Sequence, residues 1–82
     1  MGWFIYAIQS MKDNRIYVGM SLDIERRVNE HNKKKVRSTK AYIPWVLVYK
    51  EYVGDIKKAR EKEKYYKSGI GKEKLKEIIK AP

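Results

Sequence analysis

The chain has 82 residues, enough for one hydrophobic core but not for two. At 43% hydrophobic and 12% aromatic it falls outside the disordered class, and with no cysteine it can build neither a disulfide nor a thiolate metal site. A net charge of +10 predicts attraction to polyanions, above all nucleic acid; an anionic membrane and plain solubility are the competing readings. No apolar run approaches the roughly 20 residues of a membrane span. The start, Met1-Gly2-Trp3-Phe4, lacks the basic stretch of a signal peptide, so a cytoplasmic protein is expected.

In chain order, Trp3 to Ile8 and Ile16 to Gly19 read as two aromatic, β-branched strands. Ser10 to Asn14 between them has the turn chemistry of a hairpin. Ser21 is the expected N-cap of a first helix, with Asp23 and Glu25 in its positive first turn and an end near Asn32. A polar connector follows to Pro44, carrying Lys33, Lys34, Lys35, Arg37 and Lys40. Trp45 to Tyr49 is a third strand, continuing to Tyr52 and broken at Gly54. Asp55 caps a second helix over 56–67, Ser68 to Gly71 reads as a helix stop, and a short last helix puts Leu75, Ile78 and Ile79 on one side. The expected fold is α+β: one domain, 1–82, with a three-stranded, at least partly antiparallel sheet covered by three helices in the order β-β-α-β-α-α.

At about 100° per helical residue, Ile24 and Val28 mark a buried stripe with Arg27 and His31 beside it and Arg26 nearly opposite. In the second helix Ile56, Ala59 and Tyr66 define a stripe that contains Glu63, while Glu61 falls on the far side. A carboxylate on an apolar face needs a partner. An ion pair with Arg27 would be a structural reason for it, and a hard cation a functional one, since Mg²⁺ accepts one or two carboxylates and keeps several waters. A tight hairpin could place Tyr6 roughly across from Tyr17, an aromatic pairing that also stabilises sheets, but the turn does not fix the register.

Phe4-Ile5-Tyr6 and Tyr17-Val18-Gly19, followed by Asp23 to Arg27, Glu30-His31-Asn32, Ser38-Thr39-Lys40, Pro44-Trp45, Leu47-Val48-Tyr49 and Ala59 to Glu63, resemble the GIY-YIG nuclease superfamily. The likeness is to its small stand-alone members, similar to the amino-terminal nuclease domain of bacterial excision-repair proteins. Phe4 stands where the first motif has its glycine, and Met20 where some members have lysine.

The resemblance implies a divalent-metal-dependent DNA endonuclease of repair or processing, with catalytic residues Tyr6, Tyr17, Arg27 and Glu63 and His31 as auxiliary. Glu63 would hold Mg²⁺, with Mn²⁺ as substitute, and Arg27 would bind phosphate oxygens. Tyr6 is the candidate for activating water, with base duty open between Tyr6, Tyr17 and His31. Lys33, Lys34, Lys35, Arg37 and Lys40 would follow the nucleic-acid backbone. The rival readings are a non-catalytic nucleic-acid-binding module on the same fold and a nuclease active only with a targeting partner.

Overall fold

A computed structural model describes residues 2–80. Its elements are β1 (Trp3–Ser10), β2 (Ile16–Ser21), α1 (Ile24–Asn32), a 3-10 turn at Lys40–Tyr42, β3 (Trp45–Gly54), α2 (Ile56–Lys67) and α3 (Gly69–Lys80). The three strands form one antiparallel sheet in the order β2-β1-β3. This is the α+β arrangement and element order that the sequence predicts.

β1 lies in the centre, which explains its composition: Ile5, Tyr6, Ala7 and Ile8 are all buried, so both faces of the strand are covered. On one face Ile5, Ala7 and Val18 pack against Ala59 of α2 and Leu75 of α3. On the other, Tyr6, Ile8 and Trp45 pack with Tyr17 and with Ile24 and Val28 of α1. The sheet thus separates α1 from the α2–α3 pair, with β2 and β3 as its edges.

Several local expectations change. Asp23, not Ser21, caps α1: its backbone is extended and its carboxylate accepts from the Arg26 N–H at 3.1 Å. Ser21 still belongs to β2, and its hydroxyl receives the Asp23 N–H at 3.0 Å. Asp55 caps α2 as expected, accepting from Lys58 N–H at 2.9 Å. Ser68 does not stop the chain in a loop but joins two helices directly. Its hydroxyl donates to the Tyr65 carbonyl at 2.6 Å and accepts from Gly71 N–H at 3.1 Å, closing α2 and opening α3 with one side chain. Gly71 is buried there because a Cβ would sit 1.8 Å from the Tyr65 carbonyl oxygen. The last helix therefore starts at Gly69 and runs 12 residues. Ile56 and Ile78 are exposed, leaving Ala59 and Tyr66 in α2 and Leu75 and Ile79 in α3 to carry the contact.

The connector is pinned at both ends. The Asn32 side chain grips the Trp45 backbone, accepting its N–H at 2.6 Å and donating to its carbonyl at 2.9 Å. Ser10 donates to the Tyr42 carbonyl at 2.6 Å, and the Arg15 guanidinium lies 3.4 Å from the centre of the Tyr42 ring.

Candidate active site

Tyr6 springs from the central strand, and its side chain crosses β2 at Gly19. The two residues are register partners, and a Cβ on Gly19 would stand 2.6 Å from the Tyr6 hydroxyl and 2.7 Å from its Cζ. Glycine is required at that point by the ring passing over it. Tyr6 therefore faces Gly19 and not Tyr17, which pairs with Ile8 one step along the same face. The register that the turn leaves open thus sets the two tyrosines two residues apart instead of across from one another.

The Tyr6 hydroxyl is hydrogen-bonded to His31 Nε2 at 2.8 Å, and His31 Nδ1 to the Thr39 hydroxyl at 2.8 Å. Thr39 in turn donates to the Val36 carbonyl at 3.3 Å, and its own carbonyl accepts from Trp45 Nε1 at 2.9 Å. Tyr6, His31 and Thr39 are each at most 1% exposed. Among the described residues no buried side-chain nitrogen or oxygen lacks a partner. Tyr17 closes the site from β2, its ring edge-on to His31 at 5.0 Å between centres and to Trp45 at 6.4 Å.

Burial dominates the electrostatics. It pushes the Tyr6 phenol up to about 12; the Arg27 guanidinium beside it pulls the other way, and the Tyr17 and Glu63 charges add to the rise. Burial first and the Arg27 charge second hold His31 down at about 4. At neutral pH both rings are therefore uncharged, and a phenol near 12 does not give its proton to an imidazole near 4 at rest.

Arg27 is 38% exposed and Arg26 77%, so the two arginines divide as helical geometry predicts. Arg27 Nη1 bonds Glu30 at 3.1 Å, and this bond raises the guanidinium and lowers the carboxyl. Glu63 does not pair with Arg27: its partner is Lys67, at 3.5 Å. The Lys67 ammonium also lies 5.8 Å from the centre of the Tyr17 ring, which brings α2 up to the tyrosines. Tyr6, Tyr17, Arg27 and His31 are thus brought together from β1, β2 and α1, and Glu63 of α2 is joined to them through Lys67, whose ammonium faces the Tyr17 ring. Lys33, Lys34, Lys35, Arg37 and Lys40 are all exposed on the connector between α1 and β3, and none forms an ion pair among the described residues.

A model of the GIY-YIG catalytic domain matches residues 2–76. The chain belongs to the GIY-YIG family. Its fold and nuclease character follow from that membership, and a nucleic-acid substrate with it. Relatives of this GIY-YIG chain include UPF0213 protein SH2523 of Staphylococcus haemolyticus, 34% identical over 92% of both chains. UPF0213 protein DP2720 of Desulfotalea psychrophila is 38% identical over 74% of this chain, which spans 56% of that relative. UPF0213 protein YhbQ of Escherichia coli is 29% identical over 98% of this chain and 92% of its own length. The solution structure of UPF0213 protein BH0048 from Bacillus halodurans superposes with a TM-score of 0.61 at 27% identity, over all of this chain and 89% of that one.

Three neighbours of the site are absent from the candidates read in the sequence. Glu30 and Lys67 stand three and four residues from Arg27 and Glu63, and that helical spacing was the available signal. Thr39 carries no periodic signal, because it lies in the irregular connector; its place in the Ser38-Thr39-Lys40 motif was the one sequence signal for it. Among the described residues no group of three or more His, Cys, Asp or Glu side chains could enclose a metal ion. Glu63 is a single carboxylate whose ionic partner among the described residues is Lys67. Such a donor fits a hard cation that keeps its waters and takes its other ligands from substrate. No helix among the described residues is long and apolar enough to cross a membrane.

Proposed function

We propose that this chain is a divalent-cation-dependent endonuclease that hydrolyses DNA phosphodiesters, with a role in DNA repair or processing. The observation that carries the reading is the buried Tyr6–His31 hydrogen bond beside Arg27 and within the field of Glu63. In a binding module a satisfied buried network of this kind would serve only to rigidify the core, whereas beside Arg27 and in the field of Glu63 it can also move a proton.

The resting site is neutral, and substrate changes that. Arg27, with its planar fork, binds the nonbridging oxygens of the scissile phosphate. The phosphate's charge then offsets the Arg27 charge that helps to hold His31 down, so imidazole basicity rises as substrate docks. Water attacks phosphorus, forming the new P–O bond as the P–O bond to the leaving oxygen breaks. The water proton passes to the Tyr6 oxygen, while the Tyr6 proton passes to His31 Nε2. Tyr17 walls this chain of donors and acceptors off from solvent. Glu63 would hold Mg²⁺, with Mn²⁺ as substitute, and a cation so held supplies charge neutralisation at the phosphate and the leaving oxygen. Lys33, Lys34, Lys35, Arg37 and Lys40 contact the nucleic-acid backbone without reading bases.

The test incubates labelled single-stranded, duplex and branched DNA, and RNA counterparts, with the protein in Mg²⁺, Mn²⁺ or EDTA, beside Glu63→Ala. Metal-dependent DNA cutting that disappears in Glu63→Ala, with salt-sensitive binding retained, supports the reading. Binding to every substrate without cutting would replace it by the binding module or the partner-directed nuclease. Equal cutting by both proteins would remove Glu63 from the metal role.

A further inference from the structure

Of the side chains that surround the Tyr6–His31 pair, the Thr39 hydroxyl is the one that the chemistry above leaves without a task. We propose that Thr39 is a positioning residue: its hydroxyl holds His31 in the Nδ1–H tautomer and so keeps the bare Nε2 lone pair aimed at the Tyr6 phenol. This deepens the nuclease reading and rests on it for its catalytic consequence, though not for the tautomer itself.

The direction of the hydrogen-bond chain follows from what each group can do. Arg27 stands beside the Tyr6 phenol, but its Nη1 hydrogen bond goes to Glu30 at 3.1 Å, and the one side-chain partner of the Tyr6 hydroxyl among the described residues is His31. The Tyr6 hydrogen is then free to point at His31 Nε2, 2.8 Å away. At the other end, the single Thr39 hydroxyl hydrogen has the Val36 carbonyl at 3.3 Å, which leaves its oxygen to receive His31 Nδ1–H at 2.8 Å. Every hydrogen in the chain thus has an acceptor. The reversed chain would put the imidazole hydrogen on Nε2, and the Tyr6 oxygen would accept it, with no second partner for that hydroxyl among the described residues. The phenol hydrogen would then be left unplaced in a buried site, at a cost of about 1–3 kcal/mol. Only the first direction gives Nε2 the lone pair that takes the Tyr6 proton.

Thr39 can hold this position because it is fixed from several sides. It is 1% exposed, Trp45 Nε1 of β3 holds its carbonyl at 2.9 Å, and its own N–H bonds the Val36 carbonyl at 3.2 Å. It also sits between Arg37 and Lys40, so one connector carries both the exposed cations and the buried hydroxyl. The two jobs are separable: removing cations should raise KM, whereas removing the hydroxyl should lower kcat.

The protein has a single histidine, which makes the tautomer directly readable. Long-range ¹H–¹⁵N correlation of the imidazole at neutral pH is recorded for the wild type, Thr39→Ser and Thr39→Val, beside thermal melts and cleavage kinetics. The expected result is a protonated Nδ1 and bare Nε2 in the wild type and in Thr39→Ser. Thr39→Val should lose that preference, and kcat should drop by about 100-fold, the scale of a lost proton-transfer partner, with KM changed less than about twofold. A wild-type ring protonated on Nε2 overturns the proposal, as does a folded Thr39→Val that keeps the Nδ1–H signal. If Thr39→Val does not fold, the wild-type and Thr39→Ser tautomers decide. Absence of cutting by the wild type refutes the nuclease reading and leaves the tautomer result standing.

Discussion

Protonating His31 should destabilise this protein, and the pH range in which it does so follows from the site. In the folded state the imidazole is held at about 4, against an ordinary value of 6.5, because it is fully buried and sits near the Arg27 charge. The unfolded chain therefore takes up a proton at pH values where the folded chain does not. The stabilisation is complete above pH 6.5 and is lost as pH falls from 6.5 towards 4. At 1.36 kcal/mol per pKa unit, that window is worth about 3 kcal/mol. A domain of this size is typically stable by roughly 4–12 kcal/mol, so the loss is a large share of the total. The assay is urea unfolding followed by circular dichroism at several pH values between 7.5 and 4.5, for the wild type and for His31→Gln. The variant starts less stable, because it breaks the bonds to Tyr6 and Thr39, but only slopes are compared. Below pH 6.5 the wild type should lose stability at up to about 1.4 kcal/mol per pH unit, and the variant far less. Carboxyls lowered in the folded protein, Asp13, Glu30 and Glu51 among them, are present in both proteins and cancel. Parallel curves, or an imidazole proton resonance titrating near 6.5 in the folded protein, would refute the account of a buried neutral His31.

Three further outcomes are expected. Gly19→Ala puts a methyl 2.6 Å from the Tyr6 hydroxyl, so the ring must shift and its bond to His31 must lengthen; cleavage should fall at least about tenfold, with a stability loss of about 1–3 kcal/mol by urea titration. Gly71→Ala meets the Tyr65 backbone carbonyl at 1.8 Å, where no side chain can yield; it should destabilise the α2–α3 junction by about 3 kcal/mol or more, and a melting temperature equal to wild type would contradict the close approach. Replacing Lys33, Lys34 and Lys35 by Gln should weaken binding to all sequences alike and flatten the plot of log affinity against log salt by up to about three charges, with kcat unchanged.

Much of the architecture is carried by local chemistry, and for that reason it is legible in the chain. Alternating aromatic and β-branched residues mark the strands, Asp55 and the break at Gly54 bracket α2 and β3, and the i, i+3, i+4 rule separates Arg27 from Arg26. Misplaced details lie where two local signals compete. Ser21 and Asp23 are both good caps, and the strand pairing that keeps Ser21 in β2 decides for Asp23. Ser68-Gly69 looks like an ending, but the Ser68 hydroxyl serves two helices at once, which only their packing reveals.

The site shows the same division more sharply. Sequence by itself determined the charge that draws the protein to nucleic acid, the order of the motifs, and the faces on which Tyr6, Arg27, His31 and Glu63 lie, since a helix or strand period fixes direction. It could not determine register, depth or partnership, because these depend on groups far apart in the chain. The hairpin offset sets Tyr6 on Gly19 instead of Tyr17. The docking of α1 buries His31 against a tyrosine 25 residues away. The fold of an irregular connector brings Thr39 to the other ring nitrogen, and α2 pairs Glu63 with Lys67 and not with Arg27. Periodicity says which way a side chain points; only the packed core says what it meets, and the distance and dielectric of that meeting are what set the charge states of a buried phenol and imidazole.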